Sequence, residues 1–158
     1  MDCAIRHGRG AWKGLSSALL FKETLMPVAA PDVADRFSSG VKQDWHHAPL
    51  IRARSRFMDW SNWQKHDRAL VKRRIKWLTV ETRAQALDAA ISGAGVALMD
   101  MAYIATSGAQ GRLRKLAEHP LSLPTGYYFV NVPNVRNLHL LKHLRDWAIE
   151  AAEPFRAA

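Results

Sequence analysis

The chain has 158 residues and a mass of 17.8 kDa, enough for a single domain of ordinary size. It is 48% hydrophobic and 23% charged, with nine glycines and seven prolines, which excludes disordered, collagen-like and low-complexity classes. Its 23 Lys and Arg outweigh 14 Asp and Glu to give +9 and an isoelectric point near 10.2, and its longest apolar stretches fall far below the ~18 residues of a membrane span.

Residues 2–6 alternate apolar and polar before Gly8 and Gly10, and so read as a strand running into a glycine turn. Residues 23–29 form a second extended run, in which Pro27 argues for an edge or crossing strand and against a sheet centre. Pro31 and Asp32 open a short helix to Phe37, and 49–52 and 76–80 are strand candidates. Thr82 and Gln85 fit a capping box, Ala86, Leu87, Ala90 and Ile91 recur at helical spacing, and Gly93 supplies the stop. A buried strand at 95–99, a short helix at 101–107 ended by Gly108, and a strand at 111–116 follow. Pro120 and Pro124 bound a loop, 127–132 is a strand, and Asn137 caps a last helix with Leu138, Leu141, Leu144, Ala148 and Ala151 on one face. Strands alternating with helices give an α/β sheet.

Several blocks then carry a resemblance. Asp2-Cys-Ala-Ile-Arg-His-Gly-Arg-Gly10, Pro27-Val-Ala-Ala-Pro31, the pair Trp60 and Trp63, and residues 87–98 (Leu-Asp-Ala-Ala-Ile-Ser-Gly-Ala-Gly-Val-Ala-Leu) come first. Gly111-Arg-Leu113, Tyr127-Tyr-Phe-Val130 and Leu144-Arg-Asp-Trp147 follow in order. Together they resemble the effector-binding domain of LysR-type transcriptional regulators, in the branch that includes the glycine-cleavage activator. The blocks run from residue 2 to about 150, and their order makes the match more specific than any one apolar-Gly-x-Gly string.

That resemblance implies an α/β, periplasmic-binding-protein-like (type II) effector domain of two lobes with an effector between them. It implies a near-complete second lobe at about 28–126, with 1–25 and 127–158 as parts of a partial first lobe. The crossing strands fall near 25–29 and 127–132. A full regulator of this family also carries an N-terminal winged helix-turn-helix, a linker helix and the opening elements of lobe one. Met1 stands in mid-strand, where the family commonly has Val, although natural boundaries fall in exposed linkers. The expectation is a truncated or mis-started frame, or a fragment, in which the apolar side of helix 137–152 is poorly covered and favours self-association.

Chemistry has little support among the residues. His139 and His143 share the i, i+4 spacing of a zinc pair, but no Glu follows His139 as the metalloprotease pattern requires. No nucleophile elbow is present, Gly8, Gly10 and Gly14 are not spaced as a dinucleotide loop, and Cys3, the single cysteine, reads as a small buried hydrophobe. The expectation is therefore no enzyme, no cofactor and no metal. Ligands of open α/β folds sit beyond the carboxyl ends of strands. Three segments occupy such ends: Arg6, His7 and Gly8; Thr82 and Arg83; and Met99, Asp100 and Met101. By resemblance they line the effector cleft. Arg6 and Arg83 have a structural ion pair as the alternative, Thr82 a cap, and Met99 and Met101 the core; Trp60 and Trp63 are read as packing.

The function expected is an effector-sensing regulatory domain that binds an unidentified small metabolite, of anionic type, and thereby controls DNA binding by the missing N-terminal domain. The partners expected are that effector, a homo-oligomer, and DNA only through the absent domain, with no membrane; the compartment expected is the cytoplasm. The alternative is a vestigial or oligomerisation fragment without its own effector. A third reading rests on 52–76, where nine basic residues face only Asp59 and Asp67, and predicts salt-sensitive, non-specific nucleic-acid binding.

Overall fold

The structure, a computed structural model, describes residues 2–39, 42, 43, 45–68, 74–133 and 137–156. Met1 and, within the basic run, Lys72 and Arg73 lie outside the described residues. Strands β1 (Cys3–Gly8) and β2 (Ser16–Ala29) lead into helix α1 (Pro31–Arg36), whose first residue is the proline that the sequence predicts there. The two-residue strands β3 (Ser38–Ser39) and β4 (Lys42–Gln43) pair with each other. There follow β5 (Leu50–Ala53), α2 (Asp59–His66), β6 (Trp77–Val80), α3 (Arg83–Ile91), β7 (Val96–Asp100) and α4 (Met101–Thr106). The chain closes with β8 (Arg114–Lys115), β9 (Leu121–Asn131) and α5 (Leu138–Ala151). It divides into two compact units, Met1–Thr24 with Ser122–Ala158 and Leu25–Leu121. They are called unit 1 and unit 2 below.

Unit 2 is built on the parallel trio β6, β5 and β7, with Leu50 in register with Trp77 on one side and Val96 on the other. The far end of β2 adds antiparallel to β7, and β8 adds to the other edge of β2. All five residues of β7 are buried, as a parallel strand between covered faces should be. Helix α3 packs Ala86, Leu87 and Ala90 against Ile51, Ala53, Ala97 and Met99, and its small side chains let the helix lie close to the sheet. Trp60 and Trp63 of α2 are buried, so the tryptophan pair packs the unit as expected.

Unit 1 holds β9 between β1 and the first part of β2, with β1 antiparallel to β9 from Cys3–Asn131 to Gly8–Gly126. Helix α5 covers one face, where Leu141, Ala148 and Ala152 meet Leu20 and Phe129. The Arg156 guanidinium closes the end of the chain by donating from Nε to the Leu20 carbonyl at 2.7 Å and from Nη2 to that of Leu19 at 3.0 Å.

Several sequence expectations need correction. Of the edge and crossing alternatives for Pro27, the edge is not found, since Pro27 is in register with Leu98 of β7 with β8 on the other side, whereas β2 does run from unit 1 into unit 2. The Pro27 carbonyl accepts from Leu116 N at 2.9 Å, on the side away from β7, so the missing N–H also faces that side and costs no bond to β7. The run 111–116 pairs only through the two residues of β8, and Pro124 falls within β9 where a loop is expected. That proline precedes the register with β1, which begins at Gly126. Strand β2 begins at Ser16, seven residues earlier than 23–29 suggests. Cys3 is only half-buried, at the border of the unit 1 core. The expected single apolar face of the last helix is divided: Leu141 and Ala148 are buried, whereas Leu138 and Leu144 are exposed.

The approach of β7 to β5 is set at Gly95, whose φ is +153° and where a Cβ would sit 2.2 Å from the Pro49 carbonyl oxygen. That oxygen accepts from Val96 N at 2.8 Å, the first bond of the pairing. Replacing Gly95 by Ala therefore strains the backbone and forces two strands apart, for an expected loss of about 3 kcal/mol. Gly108, at φ +69° with open space around it, is the control: Gly108→Ala should cost about 1 kcal/mol. Urea denaturation of both variants measures the difference, and equal losses would contradict this account.

Candidate functional site

Because β5, β6 and β7 are parallel, their carboxyl ends at Ala53, Val80 and Asp100 lie on one edge of the unit 2 sheet. Each is followed by a turn or helix start, so free backbone N–H groups gather there. The turns are tied together where Ser55 N donates to the Glu81 carbonyl at 3.0 Å.

Helix α3 begins on the capping box that the sequence predicts. Thr82 Oγ1 accepts from Gln85 N at 3.2 Å, and Gln85 Oε1 accepts from Thr82 N at 3.1 Å and from Glu81 N at 3.0 Å. The hydroxyl of Thr82 thus serves its own helix. Arg83 reaches Asp59 at the start of α2, with Nη2 2.6 Å from Oδ2 and both side chains 11% exposed. The ion-pair alternative for Arg83 is the arrangement found. Asp100 is buried and caps α4, with Oδ1 accepting from Ala102 N at 2.9 Å and Tyr103 N at 3.2 Å. Met99 is wholly buried in the unit 2 core. Met101 is half-buried and lines a largely apolar cavity of about 280 Å³ with Val28, Ile104, Ala109 and Leu113. Unit 2 therefore brings Thr82, Arg83, Asp100 and Met101 to strand ends and helix starts, and keeps Met99 for packing.

Arg6, His7 and Gly8 end β1 in unit 1. The Arg6 guanidinium lies over the Trp12 ring at 5.3 Å, and Arg6 also lines a small apolar pocket of about 200 Å³ with Cys3, Leu15 and Val130. His7 Nε2 lies 2.8 Å from Oε2 of Glu23, a carboxylate 1% exposed that also accepts from Thr125 Oγ1 at 3.1 Å. Gly8 and Gly10 back onto aromatic rings: a Cβ at Gly8 would meet Trp12 at 2.9 Å, and one at Gly10 would meet Tyr128 at 2.6 Å.

Sequence reasoning passed over Asp59 and Glu23 as partners. Asp59 is 24 residues from Arg83 and Glu23 is 16 from His7, so no local pattern links them. The adjacent charges Lys22 and Glu23, set between the apolar runs of β2, are the signal the sequence carries. Within the basic run, Arg52 donates from Nε to Thr79 Oγ1 at 2.9 Å and stacks on Trp77 at 5.1 Å, and Arg54 makes an exposed pair with Glu81 at 3.5 Å; Asp67, one of its two acids, meets His46 at 3.0 Å. Among the described residues no group of three or more His, Cys, Asp or Glu is placed to hold a metal ion, and no helix is long and apolar enough to cross a membrane.

The strand order, the capped helices and the two units define an α/β fold of the periplasmic-binding-protein-like (type II) class seen in effector domains of transcriptional regulators. The family model for the LysR substrate binding domain matches residues 1–153, and the chain belongs to that family. It is 24% identical over 152 residues to the HTH-type transcriptional activator AmpR of Citrobacter koseri, covering 96% of this chain and 51% of that protein. It is 29% identical over 160 residues to the glycine cleavage system transcriptional activator of Escherichia coli K12, covering 96% of this chain and 50% of that protein. The chain thus spans about half the length of these curated relatives. Among solved structures, the effector domain of AmpR of Pseudomonas aeruginosa matches with a TM-score of 0.75 and 26% identity, over 98% of this chain and 73% of that one. Full-length LysG of Corynebacterium glutamicum with bound effector Arg shares the fold, with a TM-score of 0.70 and 21% identity over 96% of this chain and 52% of that one.

The Asp59–Arg83 pair should be a large local contributor to the stability of unit 2. Asp59→Asn removes a carboxylate from a guanidinium that is only 11% exposed and should cost about 3 kcal/mol, whereas Thr82→Ala should cost about 1 kcal/mol through the lost cap. Chemical denaturation of both variants checks the order, and a smaller loss for Asp59→Asn than for Thr82→Ala would contradict it.

Proposed function

We propose that the chain is the effector-sensing part of a LysR-type transcriptional regulator and acts by binding, not by catalysis. The observation that carries this reading is the family match across residues 1–153. In it, the two units correspond to the two lobes of the family, and a small metabolite shifts the regulator between two states that hold the DNA differently. The effector moves that equilibrium only by its difference in affinity for the two states. DNA contact belongs to an N-terminal domain beyond this chain, the assembly is a homo-oligomer, and the compartment is the cytoplasm.

For the effector contacts we assign Thr82, Arg83, Asp100 and Met101 in unit 2, and Arg6, His7 and Gly8 in unit 1. Met99 is left out because its side chain is wholly buried in the core, and Asp100, whose side chain is buried as well, enters only through its place at the head of α4. The α3 amino terminus and Arg83 favour an effector bearing a carboxylate, since backbone N–H groups, the helix dipole and a guanidinium all attract one. An amino acid satisfies that requirement, and one solved structure of this fold carries Arg as its bound effector.

Thermal denaturation against a panel of amino acids and small carboxylates, Arg among them, tests the reading. A ligand at about 100 times its Kd adds about 2.7 kcal/mol, which for a chain of this size raises Tm by about 5–11 °C. Arg6→Ala leaves the described ion pairs of unit 2 intact and should lower that shift without unfolding the protein. A folded protein, in the full regulator, that no member of the panel stabilises would overturn the carboxylate assignment.

A further inference from the structure

Between α4 and β8, unit 2 holds the largely apolar cavity of about 280 Å³ that Met101 borders. Val28 and Ala109 form its buried wall, and the half-buried Ile104 and Leu113 add aliphatic side chains. Gln110 and Lys115, both exposed, stand at its mouth. Native interiors are close-packed, and a void with room for about nine waters at about 30 Å³ each is well above the usual size. Aliphatic walls offer such waters few partners. Both walls are held in place by their own hydrogen bonds. Helix α4 is tied at its start by the Asp100 side chain, which accepts from Ala102 N at 2.9 Å and Tyr103 N at 3.2 Å. Strand β8 is tied to β2 by the pairs Val28–Lys115 and Ala29–Arg114, and Leu116 N donates to the Pro27 carbonyl at 2.9 Å. Between them the chain bonds to itself, with Arg112 N donating to the Ala109 carbonyl at 3.1 Å and Gln110 Nε2 to that of Ala105 at 3.0 Å. The cavity is therefore set by the backbone and not by one ill-fitting side chain.

We infer that this cavity is a small-molecule site of its own, which takes a carboxylate carried on an aliphatic body, with the carboxylate at Lys115. Size sets the body. An apolar cavity of about 150 Å³ takes benzene, so one about twice as large takes about ten to twelve non-hydrogen atoms. Charge sets the head group. Arg114 is paired with Asp35, whereas Lys115 makes no ion pair among the described residues. No Asp or Glu is among the described residues that line the cavity, so nothing there opposes an anion. The surplus of nine positive charges on the chain draws anions toward the same surface. An apolar recess with a few polar groups at its opening is the usual form of such sites. Of the residues assigned to the effector, Met101 alone lines the cavity. Val28 is in register with Ala97, three residues short of the β7 carboxyl end at Asp100. The inference uses unit 2 alone and stands whether or not the strand ends bind an effector.

The experiment is an octanoate titration of the full chain, followed by nuclear magnetic resonance of isotope-labelled methionine methyl groups, of which the sequence has five. The expected result is a saturable shift of the Met101 signal with a Kd of about 0.1–1 mM. Met58, exposed and outside the cavity, should not move. Ala105→Phe fills the cavity from an exposed position on α4 and should abolish the Met101 shift, with circular dichroism as the check on folding. Lys115→Gln should weaken octanoate about fivefold and leave the binding of octanol unchanged, which separates the head group from the body. A wild-type Met101 signal that stays still under octanoate overturns the site. So does a shift of the same size in folded Ala105→Phe, which places octanoate elsewhere. A Lys115→Gln chain that binds octanoate as the wild type does, or loses octanol equally, overturns the carboxylate assignment.

Discussion

The parallel register of β5 with both β6 and β7 is the constraint from which the candidate site follows. Parallel neighbours cannot be joined by tight turns, so each step from one strand to the next passes through a helix: α2 between β5 and β6, α3 between β6 and β7. The same register brings three carboxyl ends to one edge of the sheet. Once Leu50 is aligned with Trp77 and Val96, the amino ends of α3 and α4 arrive together without any requirement from the side chains that later occupy the site. Gly95 holds that register, because only a residue without a side chain lets the Pro49 carbonyl come close enough to accept from Val96.

Polar groups at that edge are mostly committed to architecture. Thr82 satisfies the first turn of α3, Asp100 that of α4, and Arg83 is clamped to Asp59. In a binding domain these roles need not compete with recognition. A guanidinium whose position is already fixed loses little conformational freedom when a carboxylate arrives, and capped helix starts present their remaining N–H groups in fixed directions. The basic surface is similarly subdivided, since Arg52 is held between Trp77, Phe57 and Thr79. That arrangement takes Arg52 out of a uniform electrostatic track for nucleic acid, whereas Arg54 and Glu81, 3.5 Å apart and both exposed, form a surface pair that salt screens.

What was legible in the sequence was local. The capping box at Thr82 and Gln85, Pro31 at the first turn of α1 and Asn137 at the head of α5 each depend on residues three or four apart, and each stands where the pattern puts it. The α/β class follows from the alternation of such elements. Errors arose where tertiary neighbours decide. Pro27 leaves edge and crossing strand open until the direction of its missing N–H is known, and Pro124 reads as a loop until β9 is seen to extend past β1. The partners of the candidate site residues, Asp59 for Arg83 and Glu23 for His7, are distant in sequence and carry no pattern. For the same reason the periodicity of α5 shows that it is amphipathic but not which of its apolar residues meets the sheet.

The division of α5 into two stripes has a physical explanation. A helix lying on a sheet buries a strip little wider than one row of side chains, and here Leu141, Ala148 and Ala152 occupy it. With apolar residues also at 140, 144, 147 and 151, the apolar sector is too wide for a single contact surface. A helix meeting only a sheet and water should carry polar residues at those four positions, as α3 does on its outward side at Asp88. The polar residues of α5, His139, Lys142, His143, Arg145, Asp146 and Glu150, occupy the remaining arc. The apolar sector of α5 is thus wider than the contact with the unit 1 sheet uses. Helix α5 therefore buries one apolar row in the core of unit 1 and leaves a second, at Leu140, Leu144 and Trp147, exposed, so the amphipathic period alone does not say which row the fold uses.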